Sequence, residues 1–373
     1  LSTGLIGSVA SGSPRSYYDP TSLTYLGYLA EGARTNLCLE SEALDDTTGG
    51  WVAATRASIS ANATVAPDGA TTADKLVEDS TAASTHFTGQ VLAKAGSAIA
   101  YTVSVFAKQA GRTWFDIQAT STGASADAWF DLANGVVGTA SGTYTSISSS
   151  IKSYPNGWYR CSISYTTDTD TVDNLNLILS EGDGDNTYSG DGVSGVFLWG
   201  AQKEAAAFAS SYIPTTTAAV ARNADVLTYP TTGWLNAAAG TMFAQFQADA
   251  VSSGRAVFVI SDGTSNERCT LQVTSGNANL FEIVDGGVAQ CTITSGSLSS
   301  ATTTKYAGAY VLNDAAFVAN AGTVGTDATV TLPTVTTAYI GNSNGGAQIF
   351  GPIRRVAYYA ARLANATLQG LTG

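Results

Sequence analysis

The stretch GVFLWGAQKEAAAFASSYIPT, residues 195–215, divides the chain. Through Trp199 it is a run of aromatic and β-branched residues that fits a half-buried pleated strand. The spacing predicts a closing strand over 193–202. A small-residue exit follows and stops at Pro214, which cannot donate to a sheet ladder and pushes Ile213 toward extended geometry. Beyond it, TTTAAVARNADVL (215–227) carries little core-forming pattern, and a second run of strands begins. The expectation is an all-β chain of two antiparallel β-sandwich (jelly-roll) domains in tandem, over 37–213 and 234–373. A linker at 214–233 joins them. Residues 1–36, with the turn signals SGSP and YYDP, read as a short N-terminal connector or arm.

At 373 residues each half is long enough to bury its own core. Thirty-nine glycines, abundant Ser and Thr, and a hydrophobic fraction of 44% suit many short strands with tight turns rather than disorder. The formal net charge of −12 repels phosphate backbones and anionic lipid, so nucleic-acid and membrane-surface binding are excluded, and the field suits divalent cations or neutral ligands. No run approaches the roughly 18 apolar residues of a membrane span. The chain opens on Leu without the basic flank of a signal peptide, which reads as a processed or truncated start. Four cysteines (38, 161, 269, 291) show no CxxC spacing, and His86 is the lone histidine, so zinc is excluded. Cys269 and Cys291 fall on strands that read as potential neighbours, either bridged or as two buried thiols.

Strands recur at 99–109, 113–119, 128–132, 157–166 and 175–180, with Asn134-Gly135 as a hairpin signal. The second half continues at 241–250, 257–261, 268–274, 279–284, 288–294, 305–312, 316–319, 338–341 and 351–359. The terminal RLANATLQGLTG reads as one or two helical turns capped by Asn365.

In the first half, EGARTNL (31–37), APDGATTADKL (66–76), WFDLANGVVGT (129–139), NGWYRCSIS (156–164) and WGAQKE…SYIPT (199–215) resemble a module of bacteriophage and prophage virion proteins akin to carbohydrate-binding-module β-sandwiches. The second half, from GTMFAQF (240–246) to the C-terminus, resembles the concanavalin A-like, laminin-G-like jelly roll. The resemblance implies a tail or head fibre or spike protein on the virion surface. Host surface polysaccharide, other virion proteins met through residues 1–36, and a homotrimer are the partners it implies. It also implies a ligand rim at the GNSNGG loop (341–346). The QKE triplet at 202–204 departs from the family, which places a Leu there, and bears on packing alone.

The tryptophans supply the first candidate site. A period of two puts Trp114 with Asp116 and Gln118, opposite Phe115 and Ile117. Trp129 shares a face with Asp131, and Trp158 with Arg160. A flat ring flanked by carboxylate, amide and guanidinium groups offers a sugar an apolar platform and fixed hydrogen bonds. The alternative is that these rings cover the sheet edge or pack under the 37–98 segment. Trp51 and Trp199 read as packing residues. The second candidate is the Gly-rich acidic run from Glu181, with Asp183, Asp185 and Asp191. Such a run can give a hard cation several oxygens, and calcium is the cation expected; a solvated loop is the alternative. The same acids are the best place for glycoside hydrolysis, but a Gly-rich loop lacks the rigidity that chemistry wants. A non-catalytic glycan-binding adhesin is therefore the leading expectation, ahead of a structural fibre or capsid-decoration protein and of a polysaccharide depolymerase.

Overall fold

A computed structural model describes residues 1–248 and 254–373. The chain is nearly all β, in antiparallel sheets, and forms two compact units. The first comprises Leu1–Ser8, Asp19–Leu23 and Arg34–Arg222, and the second Val9–Tyr18, Thr24–Ala33 and Asn223–Gly373.

The first unit is a sandwich of two sheets. One has five strands in the spatial order Val136–Gly142, Ser125–Asp131, Trp114–Thr120, Val172–Ser180, His86–Ala93. The other has six, in the order Thr145–Tyr154, Trp158–Thr166, Ala100–Ala110, Gly195–Glu204, Ala73–Glu78, Ala57–Thr64. Alternation sends Phe115, Ile117, Phe130, Leu175 and Leu177 inward from the first sheet, against Val103, Val105, Ile163, Val196 and Leu198 from the second.

The QKE triplet owes its place to a bulge. Trp199 pairs with Phe106 and Gln202 with Ser104, so the Gly195–Glu204 strand holds one residue more than its partner there. Gly200, at φ +66°, supplies the left-handed conformation the bulge requires. The extra residue shifts the alternation, so Val196, Leu198 and Ala201 face the core. Lys203 then points between the sheets, where its Nζ donates to Asp173 Oδ2 at 2.6 Å. Tyr144 and Tyr165 donate their hydroxyls to the same carboxylate. Burial pulls the Lys203 ammonium pKa down, and the Asp173 charge opposes that pull. On the other face, Gln202 Oε1 accepts the Ile213 N–H and Glu204 accepts the N–H and hydroxyl of Ser210. These bonds fasten the exit segment that follows the strand.

The second unit pairs a seven-stranded sheet with a six-stranded one. The first runs Ser16–Tyr18, Tyr25–Ala30, Gly351–Tyr359, Ala239–Phe246, Thr304–Val311, Asp314–Ala319, Gly325–Asp327. The second runs Leu227–Pro230, Thr337–Ile340, Arg255–Ser261, Arg268–Val273, Ala278–Asp285, Val288–Ser297. Met242, Phe246, Tyr306 and Phe317 meet Leu271, Phe281 and Ile283 between them. The helix Asn365–Thr372 lays Leu368 on the opposite side of the seven-stranded sheet, against Phe243 and Val318.

Several expectations are corrected here. Residues 1–36 are not a free arm: Ser16–Tyr18 and Tyr25–Ala30 extend a sheet of the second unit, and Arg34–Asn36 pairs with Val220–Arg222 in the first. The 214–233 stretch is likewise not a plain linker, because Leu227–Pro230 pairs with Thr337–Ile340. The strand expected over 241–250 ends at Phe246, and positions 249 and 250 lie outside the described residues. Asn365 is the first helical residue, and Ala364 stands at the cap position without a side-chain bond. All four cysteines are buried and free. Cys269 pairs with Ile283 and Ile283 with Cys291, so a whole strand separates the two thiols. Two inter-strand spacings, about 10 Å, exceed the reach of a disulfide.

Candidate functional site

The outer face of the five-stranded sheet is built from residues that alternate with its core positions. In register across it lie Trp129, Asp116, Ile178 and Phe87, then Asp127, Gln118, Asn176 and Gly89, then Ser125, Thr120, Asn174 and Val91. The middle row is a hydrogen-bonded chain. Asn176 Nδ2 donates to Gln118 Oε1 at 2.9 Å, and Gln118 Nε2 donates to Asp127 Oδ1 at 2.6 Å. A Cβ at position 89 would stand 2.5 Å from Asn176 Oδ1, so glycine there lets the amide lie flat across the neighbouring strand. Gln118, Asn174, Asn176, Thr120 and Ser125 are half-buried, and Val91 is 60% exposed.

The other end of the same face is roofed. Asn186, from the loop after Ser180, accepts the Trp129 indole N–H at 2.8 Å and the Ser180 hydroxyl at 2.6 Å, and donates to Asp116 Oδ2 at 2.7 Å. Asp116 also accepts the Ala128 N–H and is fully buried. Burial pushes its carboxyl well above the usual carboxylate range and the Asp127 charge adds to this, while the bonds from Asn186 and Ala128 oppose. Trp129 keeps 8% of its surface exposed. Trp114 lies half-buried against Gly138 and Asp183. Asp131 binds the Ala133 and Asn134 N–H groups and the Asn134 amide, so it fastens the turn to the next strand.

The structure does not bring the seven sequence-predicted sugar residues together. Trp114, Asp116, Gln118, Trp129 and Asp131 share this face, whereas Trp158 and Arg160 belong to the six-stranded sheet. There Trp158 is 1% exposed, packed with Ala66, Phe106 and Trp199, and donates its indole N–H to the Val65 carbonyl. Arg160 donates to the Ser210 carbonyl and Ser104 Oγ. The pair pins the covering segments in place, with Trp158 closed to a ligand and Arg160 half-buried and committed to these bonds. The expected platform of three rings is thereby corrected.

The acidic run is corrected as a metal site. Asp183 accepts the Thr139 N–H and hydroxyl, and Asp191 accepts the N–H groups of Val193 and Ser194 and the Ser194 hydroxyl. The Ser194 hydroxyl and these N–H groups hold the Asp191 carboxyl well below the usual range. Asp185 accepts only the Thr187 N–H of its own turn, at 3.3 Å. Among the described residues no three His, Cys, Asp or Glu side chains group as a metal site. The acids are engaged separately, Asp183 with Thr139 of the Val136–Gly142 strand and Asp185 and Asp191 within their own turns, so they do not converge on one cation.

Sequence reasoning missed Asp127 and Asn176, and took Asn186 only as part of the acidic run. The alternation Asn174-Leu175-Asn176-Leu177 is a usable signal for the second and third rows of the face. Nothing local points to Asn186, whose partners are 6 to 70 positions away. His86, buried in the first unit, packs at a tilt against Tyr188 and bonds the Arg56 carbonyl through Nδ1, as a packing residue does. The second unit has a groove of about 430 Å³ lined by Asn279, Thr294, Ser295, Asn320 and Thr323, with no aromatic ring.

No protein-family model matches the chain, and no curated protein matches it in sequence. Among solved structures it is similar to a sialidase carbohydrate-binding module of Ruminococcus gnavus bound to α2,3-sialyllactose, at 15% identity and TM-score 0.35, over 40% of this chain and 93% of that one. It is similar to the NanB sialidase of Streptococcus pneumoniae at 14% and 0.33, over 39% and 27%. A pentraxin of Limulus polyphemus gives 12% and 0.31, over 37% and 70%. At such identities and TM-scores these likenesses carry no argument about ligand or activity.

Proposed function

We propose that the chain is a non-catalytic glycan-binding protein, and that the outer face of its five-stranded sheet is the binding surface. The observation that carries this reading is the row Asp127–Gln118–Asn176, a hydrogen-bonded line of fixed polar groups in which Gln118 and Asn176 are half-buried and Asp127 keeps 9% of its surface exposed. Each amide in the row uses one N–H within the sheet and keeps the second for a ligand, and Asp127 keeps an oxygen to accept a hydroxyl. Groups already held by their neighbours lose little freedom when a sugar docks.

The virion setting is part of the same proposal and rests on the sequence resemblance. On that reading the protein is a fibre or spike displayed on a phage surface, with weak single sites multiplied by copy number. Immunogold labelling of the parent particle tests that setting. The sealing of Trp158 favours a second reading, a structural fibre or decoration protein whose sandwiches are spacers. A glycan array with wild type and the double variant Gln118→Ala, Asn176→Ala separates the two. The adhesin reading expects saccharide binding that the double variant loses, and the spacer reading expects none from either.

A further inference from the structure

We propose that the saccharide taken by this face carries no acidic group: the sheet selects hydroxyl- and amide-bearing sugars and rejects carboxylated, sulfated or phosphorylated ones. The proposal rests on the reading of the face as a glycan-binding surface and adds the class of sugar.

Its first support is charge. The five strands Val136–Gly142, Ser125–Asp131, Trp114–Thr120, Val172–Ser180 and His86–Ala93 contain no Lys and no Arg, and they contain Asp116, Asp127, Asp131 and Asp173. Asp173 turns inward to Lys203; the other three alternate onto the outer side. Two of the cations at the borders of the sheet are already paired, and a third, Arg56, is exposed beyond the outer edge of the His86–Ala93 strand. Arg112, just before the Trp114–Thr120 strand, makes two 2.7 Å bonds to the Glu78 carboxylate and a longer one to Glu181. Lys94, just after the His86–Ala93 strand, is buried at its side chain, 2.9 Å from Asp168 Oδ1 and bonded to the Asp168 and Asp170 carbonyls. The loop that roofs the Trp129 end adds Glu181, Asp183 and Asp185. An anionic sugar on the Asp127–Gln118–Asn176 row would meet a field of its own sign, with no guanidinium or ammonium within the five strands to answer it.

The second support is the polarity of the hydrogen-bonded row. Asp127, as a carboxylate, only accepts, and it lies at the end toward which the amide donors point. A sugar hydroxyl can donate to it and accept from the free Gln118 or Asn176 N–H. An acidic oxygen can do only the second and would face Asp127 acceptor to acceptor. Asp127 belongs to both supports, and Gln118 beside it is where a substitution can test them together.

The experiment measures binding of the full chain to two sets of immobilised oligosaccharides. One set ends in glucose, galactose or N-acetylglucosamine, and the other bears sialic acid, uronic acid or sulfate. The expected result is binding within the first set, with acidic counterparts weaker by roughly tenfold or more. Raising salt should leave neutral-sugar affinity unchanged. Gln118→Lys, checked for folding by its thermal melt, should narrow the gap between the sets. Acidic sugars bound as well as neutral ones, in a manner that Gln118→Ala or Asn176→Ala abolishes, would overturn the selectivity and leave the binding surface standing. No binding of either set would remove the surface itself, and the selectivity with it.

Discussion

The two sheets of the first sandwich carry the same alternation, yet their outer faces end differently. On the six-stranded sheet, Phe106, Trp158 and Trp199 point outward from their strands and are sealed beneath Ile6, Ala66 and Tyr212. That face is a second small core, and its tryptophans bond to chain that covers them, Trp158 to the Val65 carbonyl and Trp199 to Thr72 Oγ1. On the five-stranded sheet the two rows beyond the Trp114–Trp129 end are mostly Asp, Gln, Asn, Thr and Ser, and the apolar Trp114, Trp129 and Ile178 gather at the end that is roofed. A large ring on an outer face attracts a cover, because burying it is worth more than leaving it wet. A row of mutually bonded amides and hydroxyls does not. The face that keeps its polar groups in water is the one left to meet a ligand.

The comparison can be broken most sharply at Trp158. Trp158→Ala should lower stability by about 3–5 kcal/mol, the usual effect of emptying an aromatic site in a core. A denaturant titration reads it, and the folded fraction should keep its glycan affinity. A loss below about 1 kcal/mol would mean that the cover is loose and the two faces are alike. Arg160→Ala removes the guanidinium bonds to Ser210 and Ser104 and should cost about 1–3 kcal/mol, again without touching binding. Heightened proteolysis within 206–212 would report release of that segment.

On the open face the order of effects reverses. Gln118→Ala with Asn176→Ala should change stability by less than about 1 kcal/mol while weakening glycan binding about tenfold or more. Isothermal titration beside a thermal melt distinguishes these. The smallest effect concerns pH at Asp116. Its carboxyl pKa is raised by burial, so the native state holds a proton that the unfolded chain releases near pH 4. Above that point the native state binds more protons than the unfolded one, and stability falls as pH rises through the window up to the folded pKa. Asp116→Asn removes the titration, so the melting temperature of the variant relative to wild type should climb with pH. A difference that stays flat from pH 4 to about pH 8 would show that Asp116 ionises freely in the fold.

Much of this architecture is legible in the sequence, because a half-buried strand writes its faces into its order. Phe115 and Ile117 against Trp114, Asp116 and Gln118 is such a case, as is Cys161 with Ile163. What lies over a face is not written locally. Whether Trp158 is wet depends on residues 65–66 and 212, and whether Trp129 is roofed depends on Asn186. The bulge at Gly200 escapes a simple period of two, so the inward turn of Lys203 toward Asp173 is visible only once the pairing of the strand is known. Residues 1–36 hold short strands that acquire meaning through partners such as Gly351–Tyr359, more than 300 positions later. A run that cannot form a sheet alone reads as an arm.

The most direct test of the open face is a hydrogen–deuterium exchange footprint of the intact chain with and without a saturating neutral oligosaccharide. Protection is expected on Trp114–Thr120, Ser125–Asp131 and Val172–Ser180, with Trp158–Thr166 unchanged. Protection confined to Trp158–Thr166 or to the second unit would contradict the assignment of the binding surface.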